Sequence, residues 1–89
     1  MESQSQSPGG APPRVLLVLS QGQEARRLGD FLKEHGMDLV QVADEAAGYN
    51  ILDTEQIDAL VCETKTPRID GLRLLRIARM RNPDVCGIL

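Results

Sequence analysis

The chain has almost no aromatic residues: it contains one Phe, one Tyr and no Trp among 89 residues. Aromatic rings are the platforms on which proteins stack single-stranded nucleic-acid bases, so this scarcity argues against binding of that kind. With 42% hydrophobic residues, the core must consist of aliphatic side chains. A chain of this length forms one small domain, and a second domain is excluded.

Long apolar runs and clustered metal ligands are also missing. No stretch approaches the ~18 apolar residues that cross a bilayer, and the N-terminus lacks the pattern of a secretory signal. We therefore expect a cytoplasmic protein without a membrane partner. The single His35 and two cysteines, Cys62 and Cys86, do not form a metal-binding set, so no metal or other cofactor is expected. Both cysteines fall in predicted strands, where burial as small apolar residues is expected.

Charge is distributed unevenly along the chain. The net charge is −3, yet residues 64–89 carry six basic and two acidic side chains, against four basic and eleven acidic ones in residues 1–63. Within the basic third, Arg73, Arg76 and Arg79 recur at intervals of three. A solvated helix face is the simplest interpretation, and a surface for an anionic protein or nucleic-acid partner is the alternative.

The organisation changes after residue 13. Residues 1–13 are rich in Ser, Gln, Gly and Pro and are predicted to be a disordered tail, while residues 14–89 form the domain. Apolar runs predict strands at Val15–Leu19, Leu39–Val42, Ala59–Cys62 and Val85–Leu89. Helical periodicity and caps predict helices at Glu24–His35, from Asp44 to about Leu52, and at Leu72–Arg81 after an Asp70 cap. This alternation predicts an α/β fold with a parallel, doubly wound sheet.

The first helix has the clearest amphipathic pattern. One side, predicted to face the sheet, contains Ala25, Leu28, Phe31, Leu32 and His35. Gly36 follows as a left-handed C-terminal cap.

The most informative segment runs from residue 58 to residue 72. An apolar strand ends in Glu63, and a loop with Pro67 and then Asp70-Gly71 leads into a helix. Pro and Asp suit any strand-to-helix loop, but their joint spacing from Glu63 resembles the phosphorylation-site segment of response-regulator receivers. The resemblance extends over residues 14–89 and implies a flavodoxin-like sheet with strand order 2-1-3-4.

The chain departs from the receiver pattern at the positions that carry its chemistry. The resemblance implies a phospho-accepting Asp where this chain has Glu63, and two acidic residues where it has Ser20 and Gln21. One carboxylate is a poor site for Mg²⁺, and phosphoryl transfer depends on exact positioning of the acceptor. Three interpretations of Glu63 follow. It is a permanent negative charge that imitates phosphorylation, a neutral remnant of lost chemistry, or an inefficient phosphoryl acceptor.

The resemblance also implies that the chain is an incomplete receiver. The last strand and last two helices, with the hydroxyl and lysine positions of the family, have no counterpart before Leu89. We therefore expect uncovered apolar surface beside Val15–Leu19 and an open edge at the fourth strand.

These departures predict a function without catalysis. The expected protein is not an enzyme but a pseudo-receiver that binds a protein partner or itself, as a homo-oligomer or as the first part of a longer chain. Sensor kinases and DNA-binding or ATPase output domains are the associates that the resemblance implies. The alternatives are a residual acceptor at Glu63 and a nucleic-acid contact through Arg73, Arg76 and Arg79.

Overall fold

A computed structural model describes residues 12–20, 22–64, 66–67 and 69–88. Within these residues, four strands alternate with three helices. The strands are β1 (Arg14–Val18), β2 (Asp38–Val42), β3 (Ala59–Cys62) and β4 (Cys86–Ile88), and the helices are α1 (Gln23–Glu34), α2 (Glu45–Thr54) and α3 (Gly71–Arg81). Residues 1–11 of the predicted tail lie outside the described residues. The Pro13 carbonyl accepts a hydrogen bond from the Asp38 N–H at 2.9 Å.

The strands form one parallel sheet in the order β2-β1-β3-β4. β1 is central, so that Val15 pairs with Leu39 on one side and with Ala59 on the other. The α/β class and the predicted strand order 2-1-3-4 are therefore confirmed. This order is consistent with a flavodoxin-like fold, in which the carboxyl ends of parallel strands share one edge of the sheet.

The larger part of the core lies on the side of the sheet that faces α2 and α3. Leu16 and Val18 of β1 contribute to it with no exposed surface, together with Leu74 of α3. Burial of each such aliphatic side chain stabilises the fold by roughly 1.5–3 kcal/mol. The other buried members of this cluster are Leu52, Ile57, Leu60, Cys62, Ile69, Ala78 and Val85.

The opposite side of β1 is buried as well, while apolar surface stays open beside it. Val15 is 3% exposed and Leu17 is fully buried. On this side α1 lies over the neighbouring strand β2, whereas Ala59 and Val61 of β3, which pair with Val15 and Leu17, are only half-buried. Further apolar surface stays open at β4, where Ile88 is 55% exposed.

The side of α1 that meets the sheet is centred on Ala25 and Gly29, which are both buried. A Cβ atom at Gly29 would lie 2.8 Å from Oε1 of Gln41, so the helix backbone runs close to β2. Phe31 and His35 were predicted to face the sheet, but both are exposed and their ring centroids are 4.2 Å apart. The prediction is wrong for these two residues because the small residues, not the aromatic ring, face β2.

The helix caps agree with the sequence signals. Oδ1 of Asp44 accepts a hydrogen bond from the Ala47 N–H at 2.8 Å, which caps α2. Oδ1 of Asp70 accepts one from the Arg73 N–H at 3.2 Å, which caps α3. Gly36, at a φ of 82°, follows α1 in the left-handed conformation. The three predicted caps are confirmed.

β4 is the edge strand of the described sheet, and the burial prediction fails there. Cys62 in β3 is buried, but Cys86 in β4 is exposed. Cys86 pairs with Ala59, which places it on the α1 side of the sheet, whereas α1 itself lies over β2. Burial of an edge strand depends on what packs over it, which an apolar run alone does not specify.

Candidate functional site

Two of the predicted site residues meet at the carboxyl ends of β1 and β3. The hydroxyl of Ser20 donates a hydrogen bond to Oε1 of Glu63 at 2.9 Å, and the Ser20 N–H donates one to Oε2 at 3.3 Å. Both oxygens of the carboxylate are therefore bound by one residue. Gln21, the third predicted pocket position, lies outside the described residues.

This pair lies at the margin of a shallow depression of about 480 Å³ between the end of β1 and the start of α1. Glu24, in the first turn of α1, also lines it, and sequence reasoning missed this residue. An acidic residue in the first turn of a helix is favoured by the helix dipole, which is the signal that could have found it. The depression is lined by Leu19, Ser20, Gly22, Gln23, Glu24, Ala25 and Glu63.

The depression offers few metal ligands. Among the residues that the structure describes, no group of three or more His, Cys, Asp or Glu side chains is arranged to hold a metal ion. Mg²⁺ prefers octahedral oxygen coordination with carboxylates and phosphate oxygens. The bridge between Ser20 and Glu63 supplies a single carboxylate, and its two oxygens already accept hydrogen bonds.

The loop after β3 holds the start of α3 against the end of the strand. The Gly71 N–H donates a hydrogen bond to the Thr64 carbonyl at 2.9 Å. A Cβ atom at Gly71 would come within 3.0 Å of the Glu63 carbonyl oxygen, a distance that real Cβ atoms essentially never show. Ile69 is buried, whereas Pro67 is exposed. Gly71 is therefore required by close approach of two backbones, and Asp70 by capping.

Cys62 lies directly beneath this junction. Its Sγ is 3.7 Å from the Gly71 carbonyl oxygen, to which the thiol donates. Burial, reinforced by the negative charge of Glu63, raises the pKa of the Cys62 thiol to about 11. Since the thiolate is the reactive form of cysteine, this thiol remains protonated and inert at neutral pH.

Glu45, at the start of α2, is a second residue that sequence reasoning missed. Its Oε1 accepts a hydrogen bond from the Asp70 N–H at 3.1 Å, and its Oε2 lies 2.6 Å from Nε and 2.5 Å from a terminal nitrogen of Arg73. The partners are separated by 25 and 28 positions in sequence, so no local signal identifies them. Glu45 joins α2 to the loop that precedes α3.

The contact with Glu45 divides the predicted arginine face. Arg73 points towards α2, while Arg76 and Arg79 are exposed and form no ion pair with a described residue. Arg81, two residues after Arg79, pairs with Asp53 at 2.5 Å. Two of the three predicted arginines thus remain together on one exposed side of α3.

None of the helices described combines the length and the apolar composition that a membrane-spanning segment requires. Neither a protein-family model nor a curated protein matches the sequence significantly. Sequence similarity therefore assigns no family to the chain. A function is inferred instead from the residues at the strand ends.

Proposed function

We propose that this chain is a cytoplasmic, receiver-like signalling module that acts through protein contacts without phosphoryl transfer. In this proposal, its seven elements correspond to the first four strands and first three helices of a response-regulator receiver. Two features support the correspondence: the parallel strand order 2-1-3-4, and the loop from Glu63 through Asp70-Gly71 into α3. The exposed edge at β4 is compatible with an incomplete receiver arrangement.

The observation that carries the proposal is the bridge between Ser20 and Glu63. Both Glu63 oxygens accept hydrogen bonds from Ser20, which hold the carboxylate against the end of β1. Phosphoryl transfer depends on positioning and on electrostatic stabilisation of the transferred group. A carboxylate whose two oxygens are both held by one serine lacks the free geometry for this reaction, so in this proposal Glu63 links the ends of β1 and β3.

Incubation with acetyl phosphate and Mg²⁺, followed by intact-mass measurement, tests the absence of phosphoryl transfer. We expect no mass increase, while a catalytically competent receiver in the same tube serves as the positive control. A phosphoryl adduct on the wild-type chain that disappears in Glu63→Ala would overturn the proposal and favour a residual acceptor.

Sedimentation at several protein concentrations tests how the module makes its contacts. Self-association through the open β4 edge predicts an average mass that rises with concentration. A constant monomer mass would exclude self-association and leave contact with a different protein as the mode of action.

A further inference from the structure

α3 has two distinct faces. Gly71, Leu74 and Ala78 form the buried stripe that packs towards the sheet. The opposite side follows the spacing i, i+3, i+4, i+7, i+8, which places successive residues above one another on a helix. This side borders an open groove of about 480 Å³ lined by Leu72, Leu75, Arg76, Arg79 and Met80.

The floor of this groove is apolar and accessible. Leu72 is 54% exposed and Met80 is 80% exposed, the largest exposed fraction among the bulky apolar residues described. Leu75 is half-buried between them, with its side chain against Gly87 of β4. The apolar floor is thus anchored to the sheet and does not depend on one flexible side chain.

The polar members of the groove are two arginines without acidic partners among the described residues. Arg73 and Arg81 on the same helix bind Glu45 and Asp53, whereas Arg76 and Arg79 form no such pair. Cations beside an apolar floor are complementary to a ligand that carries both apolar side chains and carboxylates. The fork of an Arg side chain can bind a carboxylate through two parallel hydrogen bonds.

We propose that the groove on α3 binds an acidic amphipathic helix of a protein partner. Apolar side chains of that helix pack on Leu72, Leu75 and Met80, and its flanking Glu or Asp residues pair with Arg76 and Arg79. α3 has 11 residues, a length of about 16 Å, which accommodates about three turns of a partner helix. Recognition then follows the helix-in-groove mode, with anchors at helical spacing.

Nucleic acid fits the groove less well. A phosphate backbone would pair with the two arginines but would leave Leu72 and Met80 in water, and no described aromatic side chain lines the groove to stack a base. The inference rests on the proposed function, because it identifies the class of partner, but its test is independent of phosphoryl transfer.

Selection from a displayed library of helical peptides about 15 residues long tests the proposal on the whole chain. The library varies two properties independently: the charge at the flanking positions, and the identity of the side chains at the apolar positions. We expect the selected peptides to carry Glu or Asp beside apolar residues at i, i+3, i+4 and i+7. Failure to select a binder, or selection of basic peptides, would overturn the proposal.

Fluorescence anisotropy with a selected peptide then locates the site. Arg76→Glu with Arg79→Glu should weaken binding at least tenfold, and Met80→Glu should do the same. The matched control is Arg26→Glu with Arg27→Glu, which makes the same change of charge at exposed positions of α1 and should leave affinity within twofold. Circular dichroism confirms that each variant is folded.

Three results would contradict the proposal. The first is equal loss of affinity in the α1 control, which would indicate attraction by net charge alone. The second is a concentration-dependent dimer that Met80→Glu dissociates, which would make a second copy of the chain the occupant. The third is tight binding of a DNA duplex that depends on the two arginines but not on Met80. None of these results bears on phosphoryl transfer at Glu63.

Discussion

Replacement of Gly71 by Ala should destabilise the domain strongly, because two backbones meet at this position. A Cβ atom here would lie within 3.0 Å of the Glu63 carbonyl oxygen and 3.0 Å from Sγ of Cys62. The oxygen belongs to the backbone at the end of β3, so it cannot move aside as a flexible side chain would. Relief requires α3 to move away from the sheet, which would loosen the buried contacts of Leu74 and Ala78.

The expected cost of this displacement is about 3 kcal/mol, the upper end of the usual range for overpacking. A domain of this size unfolds with a free energy of about 5 kcal/mol, so more than half of its stability would be lost. With a urea m value of about 1.5 kcal/mol per M, the unfolding midpoint falls by about 2 M. Urea titration followed by circular dichroism at 222 nm measures this shift.

Gly22→Ala is the matched control for Gly71→Ala. An added Cβ atom at Gly22 meets nothing within 4 Å, and its φ of 163° is extended backbone that any residue adopts. Gly22 is the N-cap residue of α1, where Ala is less favourable than Gly, so the unfolding free energy should fall by about 1 kcal/mol or less. Equal midpoints for the two variants would refute the close approach of α3 to the end of β3.

Three further predictions concern the contacts of Glu45, the reactivity of the two cysteines and the titration of Cys62. Glu45→Ala removes the hydrogen bonds to the Asp70 N–H and to Arg73 and should lower the unfolding free energy by about 1–2 kcal/mol. Asp53→Ala breaks only an exposed ion pair and should lower it by less than about 1 kcal/mol. A larger loss of stability for Asp53→Ala than for Glu45→Ala in urea unfolding would contradict the role of Glu45. In the native protein, Cys86 should react rapidly with a thiol reagent while Cys62 reacts only after unfolding, and two rapidly reacting native thiols would show that Cys62 is not buried. Burial raises the pKa of the Cys62 thiol from 9.0 to about 11. Between these two pH values the native state keeps a proton that the unfolded chain releases, so the unfolding free energy should fall as pH rises from about 9 to about 11. This pH-dependent component should be absent in Cys62→Ala.

Local patterns predicted the elements well. Uninterrupted apolar runs identify β1 and β3, as expected for strands of a covered parallel sheet. β1 is buried on both faces, whereas burial alternates along β3. Asp44 and Asp70 mark the starts of α2 and α3 because their side chains bond to backbone groups three residues away. Each of these signals depends on neighbours within one turn of chain, so the sequence contains it in full.

The candidate site was predictable only in part. The position of Glu63 at a strand end is a local property, and its closeness to Ser20 follows from the parallel pairing of β1 with β3. The two hydrogen bonds that occupy both of its oxygens depend on side-chain geometry across 43 positions, which no sequence pattern encodes. The same reason explains why Glu45 was missed and why Arg73 was grouped with Arg76 and Arg79.

Residue types and their short-range spacing are sufficient to specify the alternation of strands and helices, the caps and the aliphatic character of the core. Tertiary packing, in contrast, set which faces stay open. It buried β1 between two strands, left Cys86 and Ile88 exposed on the edge strand, and turned Phe31 away from the sheet. It also separated Arg73 from the groove on α3, because exposure and pairing depend on which distant elements pack together.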